Sequence, residues 1–117
     1  MKDKLALVVK TIDDMKGNDI QIINVSDVNP LCEYFVICDA NNTTQTSAIA
    51  AKVRKELLQK GFDINHIEGE KGSKWVLLDA NDIIIHVFYS PERAKYSLDK
   101  LWADQEFLNV EDILKEG

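Results

Sequence analysis

Between Trp75 and Tyr89 the chain reads Trp-Val-Leu-Leu-Asp, then Ala-Asn-Asp, then Ile-Ile-Ile-His-Val-Phe-Tyr. Two β-branched and aromatic runs around a short Asn-Asp turn are the local signature of a β-hairpin. Strand alternation places Trp75, Leu77 and Asp79 on one face of the first strand and Val76 and Leu78 on the other. On the second strand Ile84, His86 and Phe88 share a face, and Ile83, Ile85, Val87 and Tyr89 share the opposite one. The second run is almost wholly apolar, as in a strand covered on both sides. Any fold for this chain must therefore bury this hairpin at the centre of a sheet and pack other elements on it.

The rest of the chain supplies those elements. Leu5, Val8, Val9, Ile12 and Met15 recur at helical spacing, so residues 2–16 read as a helix with Gly17 at its stop. Residues 19–25 read as a strand, Ser26 to Leu31 as a loop held by Asn29-Pro30, and Glu33 to Cys38 as a second strand. Asn42 is an N-cap, with Gln45 three residues on, for a helix over 43–60 whose buried stripe is Ile49, Val53 and Leu57. Gly61 ends it. Phe62 to Ile67 reads as a third strand, and Glu68 to Lys74 as a mobile link into the hairpin. Ser90-Pro91-Glu92 starts another helix, with Ser90 as N-cap, running through Leu98 and Leu101 to Trp102. Asn109 caps a last short helix at Val110–Glu116. The order α-β-β-α-β-β-β-α predicts an α/β fold, a mixed sheet of about five strands with flanking helices.

A chain of 117 residues suits one domain with a real core. The net charge of −6 argues against a general basic nucleic-acid surface. It fits either plain solubility or a basic partner, because complementary charge speeds encounter and selects partners. From Asp99 onward six acids face two lysines, so the tail carries much of the negative charge. The longest apolar runs are too short to span a bilayer, which predicts no membrane partner. The N-terminus lacks the signature of a signal or transit peptide, so a cytoplasmic location is expected. Cys32 and Cys38, at the two ends of one extended strand, would be roughly 20 Å apart and on the same face; they read as buried free thiols.

Catalytic constellations are weak. His86 sits mid-strand between Ile85 and Val87, where a lone histidine serves as a core group before it serves as a base. Cys38 and His86 are candidate cross-strand neighbours, but a Cys–His pair also needs an orienting group and a cleft. Asp79 and Asp82 bracket a turn, and turns select Asp for backbone hydrogen bonding alone. Gly69 and Gly72 lack the Lys-Ser/Thr of a phosphate loop. No metal-ligand spacing and no cofactor motif is present. The aromatics say more. Trp102 reads as core, packed with Leu98 and Leu101. Trp75, beside the polar Glu70, Ser73 and Lys74, reads equally as a core residue or as a protein-binding hot spot.

Six pieces in order resemble a known family. They are Glu33-Tyr34-Phe35-Val36-Ile37; Gln45 with Ala48-Ile49-Ala50; Glu68-Gly69; Trp75 to Asp79; Asp82 to Phe88; and Arg93 with Tyr96, Leu98, Leu101 and Trp102. Together they span roughly residues 5–104 and resemble the ribosomal silencing factor family (RsfS, also called Iojap). The chain departs at Glu33, where the family usually has Asp, at Asn42 (Ser), at Asn81-Asp82 (Gly-Asp) and at Asp99 (Glu). The resemblance implies an RsfS-like domain over 1–104, followed by an acidic tail over 105–117. It implies a nucleotidyltransferase-like fold without the catalytic Gly-Ser-x-Asp-x-Asp motif, which is indeed missing. It further implies a non-enzymatic factor that binds the large ribosomal subunit through a basic ribosomal protein, universal large-subunit protein fourteen. Bound there, such a factor blocks joining of the small subunit and lowers translation under nutrient limitation. A homodimer is implied when the factor is free. Organellar relatives in large-subunit assembly, and the nucleotide enzymes of similar fold, supply the two alternative functions. The candidate partner-binding residues are Glu68, Trp75, Leu77, Asp79, Asp82, Arg93 and Tyr96.

Overall fold

A computed structural model describes residues 2–69 and 71–116; Met1, Glu70 and Gly117 lie outside the described residues, as do the side chains of Lys2 and Glu116. The chain runs α1 (Lys2–Asp14), β1 (Asn18–Asn24), β2 (Tyr34–Ala40), α2 (Thr43–Gln59), β3 (His66–Glu68), β4 (Trp75–Asp79), β5 (Ile83–Tyr89), α3 (Ser90–Tyr96), α4 (Leu98–Leu101), β6 (Glu106–Leu108) and α5 (Val110–Glu116). Six strands form one sheet in the order β3-β4-β5-β2-β1-β6. β2 and β5 pair in parallel and the other pairings are antiparallel.

The hairpin is β4–β5, with Trp75 opposite Phe88, Leu77 opposite His86 and Asp79 opposite Ile84. Its turn closes because Asn81 accepts a left-handed backbone, φ 71°, a conformation Asn tolerates better than most residues. The Asn81 N–H donates to Asp79 Oδ1 at 2.9 Å. β5 lies mid-sheet between β4 and β2. Its alternation then sorts the core into two layers. Ile83, Ile85 and Val87 face the α1 stripe of Leu5, Val8, Val9 and Ile12 and the α2 stripe of Ile49, Val53 and Leu57. Phe88 turns to the other face, with Ile23 of β1, Val25 just after it, and Phe35 and Ile37 of β2. Burying each such side chain contributes about 1.5–3 kcal/mol.

The helix ends follow from backbone bookkeeping. Asn42 caps α2, its side chain accepting the Gln45 N–H at 2.8 Å. At the other end the Gly61 N–H donates to Leu58 O and the Phe62 N–H to Leu57 O, with Gly61 left-handed at φ 85°, a Schellman stop. That closure corrects the expected strand over 62–67. Phe62 serves the helix end and packs inward with Ile64, so pairing starts only at His66 and extends through Glu68. Glu68 is thus strand rather than link.

Three further expectations change. First, the helix after β5 does not run unbroken to Trp102. Ser97 adopts a left-handed backbone at φ 51° and separates α3 from α4. Tyr89, not Ser90, holds the N-cap position of α3, and the Ser90 hydroxyl instead donates to Asp39 Oδ1 at 2.8 Å. Second, a sixth strand forms. β6 pairs with β1 through Ile22–Leu108 and Ile23–Phe107, and α5 packs on α1 with Ile113 buried. Asn109 caps α5, accepting the Asp112 N–H at 3.0 Å. Third, Cys38 lies on the helix-covered face and Cys32, just before β2, on the other. Both are buried free thiols, as expected.

Candidate functional site

The face of the sheet away from α1 and α2 is only partly roofed. α3 packs over β5 and β2, and beyond it Leu98 and Trp102 pack on the cluster around Phe35. Trp102 meets Phe35 edge-on at 5.8 Å, while Leu101 is exposed and takes no part in the core. Toward β3 and β4 the roof stops. Trp75, Leu77 and Ile84 are half-buried there.

Trp75 organises this opening. Its ring lies 4.7 Å from Phe88 and 4.9 Å from Tyr96, centroid to centroid. Its indole Nε1–H donates to His86 Nδ1 at 3.2 Å. Tyr96, the last residue of α3, is 46% exposed. Register sets Glu68 opposite Leu77, and Glu68, Gly69, Trp75 and Leu77 line a shallow hollow of about 230 Å³. Gly69 is required at that hollow: at φ 100°, a Cβ would sit 2.6 Å from Trp75 O. Of the seven residues singled out from sequence, Glu68, Trp75, Leu77 and Tyr96 therefore converge. They form an aromatic and apolar surface with one acid at its edge, the make-up of a protein-docking patch rather than a reaction centre.

The other three hold the scaffold. Asp79 caps the hairpin turn. Asp82 accepts from Lys4 Nζ at 2.6 Å, and Lys4, buried on α1, also donates to Ala80 O, so the turn is tied to the helix layer. Arg93 is the hub of an ion cluster that sequence reasoning missed. Its side chain is 8% exposed, and its guanidinium donates to Asp39 Oδ2 at 2.9 Å, Asp99 Oδ2 at 2.7 Å and the Asp19 carbonyl at 2.7 Å. The partners come from β2, α4 and β1, so one side chain staples the α3–α4 unit to the sheet. Burial works against the Arg93 charge, but the bonds to Asp99 and Asp39 outweigh it and raise its pKa. Burial likewise opposes the Asp99 charge, and the Arg93 bond overcomes it and holds the carboxyl below its usual range. The missed signal was Asp39, a charge placed inside an otherwise apolar strand.

The nucleophile and base candidates do not assemble. Cys38 pairs in register with Val87, not with His86, and the two side chains point to opposite faces. Burial pushes the Cys38 thiol up to about 12 and the His86 imidazole down to about 4. His86 is therefore neutral. With Nδ1 accepting from Trp75, the ring proton is assigned to Nε2, a buried atom without a hydrogen-bond partner among the described residues. Phe35 meets the imidazole ring edge-on at 5.0 Å. Among the described residues no three of His, Cys, Asp or Glu are grouped to hold a metal ion, and no helix is long and apolar enough to cross a membrane.

Comparison with known proteins gives a consistent result. The family described as Ribosomal silencing factor during starvation matches residues 1–117. The chain is 34% identical over 113 residues to the ribosomal silencing factor RsfS of Halalkalibacterium halodurans, covering 97% of both chains. It is 31% identical to that of Bacillus subtilis, covering 94% of this chain and 93% of the relative. A mouse protein named Mitochondrial assembly of ribosomal large subunit protein 1 is 27% identical over 109 residues, 91% of this chain and 48% of that protein. A crystal structure of a protein from Bacillus halodurans superposes with a TM-score of 0.82 at 33% identity, covering 93% of this chain and 99% of the other. A crystal structure from Chromobacterium violaceum gives 0.85 at 29% identity, covering 88% and 86%.

Proposed function

Because the chain belongs to the ribosomal silencing factor family, we propose that it represses translation by docking on the large ribosomal subunit and keeping the small subunit from joining. The family places it in translation regulation. The finer steps are inferred: the contact is universal large-subunit protein fourteen, on the face that meets the small subunit, and the block is steric. The observation that carries this reading is the half-roofed sheet face where Trp75, Leu77 and Tyr96 meet beside Glu68. An aromatic anchor with partly exposed apolar neighbours and an acid at the rim suits a basic protein partner, and the net charge of −6 favours the same partner.

Asp79, Asp82 and Arg93 act on docking at one remove, by holding the hairpin turn and α3 in place. The mechanism needs no nucleophile, cofactor or nucleotide. A specific interface of standard size covers about 800 Å² per partner, enough for a rigid domain to occupy the subunit-joining surface. The site of action is the cytoplasm. When no ribosome is bound, a second copy of the chain covers the same apolar face, giving a homodimer. A role in large-subunit assembly is a second reading, favoured by the name of the mouse relative.

The test is co-sedimentation with purified large subunits, with Trp75→Ala and Leu77→Asp as variants. Each should weaken binding by about thirtyfold or more, the equivalent of about 2 kcal/mol. Leu77→Asp places a charge where the wild-type side chain is already partly exposed, and its melting temperature, measured alongside, separates a binding loss from unfolding. Wild-type affinity in a folded Leu77→Asp protein would move the docking site elsewhere.

A further inference from the structure

The helix layer on the other face of the sheet is incomplete. α5, α1 and α2 lie side by side, and α2 packs on β2, β5 and β4. Beyond α2 the layer ends, and Ile67 of β3 is left 38% exposed. Two hollows, of about 470 and 380 Å³, run along this edge and meet at Arg54 and Ile67. A stripe at helical spacing, Thr44, Ala48, Ala51, Arg54 and Leu58, runs the length of their α2 wall. That stripe is about 21 Å long at 1.5 Å per residue. The floor is Ile67, Val76 and Leu78, with Leu58 exposed at one end.

The shape selects the occupant. Ala48 and Ala51 leave room for a second helix at the close end of the usual 8–10 Å interaxial range, and a four-turn helix matches the stripe in length. Charge selects further. Residues 52–74 hold six lysines and arginines against four acids, in a chain whose overall charge is −6. Among the described residues the ion pair here that involves a lysine or arginine is Lys52–Glu56. Arg54 and Lys71 line the groove, and among the described residues neither is ion-paired. An apolar floor with a cationic rim, on an acidic protein, is complementary to a partner that is apolar on one side and acidic on its flanks.

We propose that this groove takes an acidic amphipathic helix of a partner protein, seated beside α2 as a fourth member of the helix layer. The groove is on the opposite side of the sheet from Trp75, so it stays open in a molecule docked through that face. The inference stands apart from the reading of the docking face and is tested on the isolated chain.

The probe is a labelled 14-residue helical peptide with leucines on one face and glutamates flanking them, and a matched peptide with lysines for the glutamates. Titration of the full chain should give binding at least about tenfold tighter for the glutamate peptide, with amide shifts at Ala48, Ala51, Arg54 and Ile67. Ala51→Glu, a change at an exposed helix position, should abolish that preference without moving the melting temperature. Equal affinity for the two peptides, shifts centred on Trp75 and Tyr96, or wild-type binding by Ala51→Glu would overturn the proposal. So would sedimentation showing a dimer that Ala51→Glu dissociates, since the occupant would then be a second copy.

Discussion

Replacing Arg93 with methionine should be among the most damaging single changes in this protein. Methionine keeps an apolar stem of similar length, so packing is largely retained and the charge is what goes. The guanidinium bonds two carboxylates and the Asp19 carbonyl within 3 Å. Asp39, with its side chain 12% exposed, would keep the Ser90 hydroxyl but lose its counter-ion. Asp99, 27% exposed, can partly rehydrate. Breaking a buried pair by removing one partner costs about 3–5 kcal/mol, and rehydration of Asp99 puts this case near the lower end, at about 3 kcal/mol. For a chain of this size that is a melting shift on the order of 10 °C. Urea unfolding at neutral pH measures it. Adding Asp39→Asn to Arg93→Met should recover part of the loss, because the stranded charge is removed, and the double-mutant cycle isolates that coupling. A loss below about 1 kcal/mol, or no recovery in the double variant, would refute the view of Arg93 as the staple that sets α3.

Two other outcomes follow from charge and burial. His86 has its folded pKa lowered from 6.5 to about 4 by burial. The neutral-imidazole contribution is therefore full above about pH 6.5 and lost as pH falls toward 4, in total roughly 3 kcal/mol; in His86→Asn, which keeps an acceptor for Trp75, the stability difference from wild type should shrink over that range, and a pH-independent difference would place the imidazole in water. Association with the large subunit should slow as salt rises while dissociation changes little, because exposed charges act mainly on encounter; a salt-independent association rate would remove electrostatics from docking.

The hairpin, its facing and the α1 and α2 stripes were legible in the sequence because each is a local pattern: period-two alternation, a turn pair, a cap and apolar residues at helical spacing. What escaped was tertiary. β6 is three residues beginning with Glu106, and nothing local distinguishes it from a loop until β1 offers its edge. The break at Ser97 has no glycine or proline to announce it, and its left-handed backbone falls between Arg93 and Asp99, which the ion pair brings together across it. The site divides the same way. Trp75 and Leu77 were readable as one strand face, and Glu68 joins them only through β3 pairing. Arg93 read as a surface contact because a single arginine in a short helix gives no sign that three acids from three elements surround it.

If this protein acts by occupying a surface, a subunit-joining titration reads that action without an intermediary. Purified large subunits at fixed concentration are mixed with increasing protein, small subunits are added, and the joined fraction is read by light scattering, with no nucleotide present. A steric blocker gives a one-to-one binding isotherm whose midpoint equals the dissociation constant measured by co-sedimentation, shifted by about thirtyfold or more in Leu77→Asp. Progressive inactivation of many large subunits by substoichiometric protein, or a folded Leu77→Asp variant that blocks as well as wild type, would contradict it.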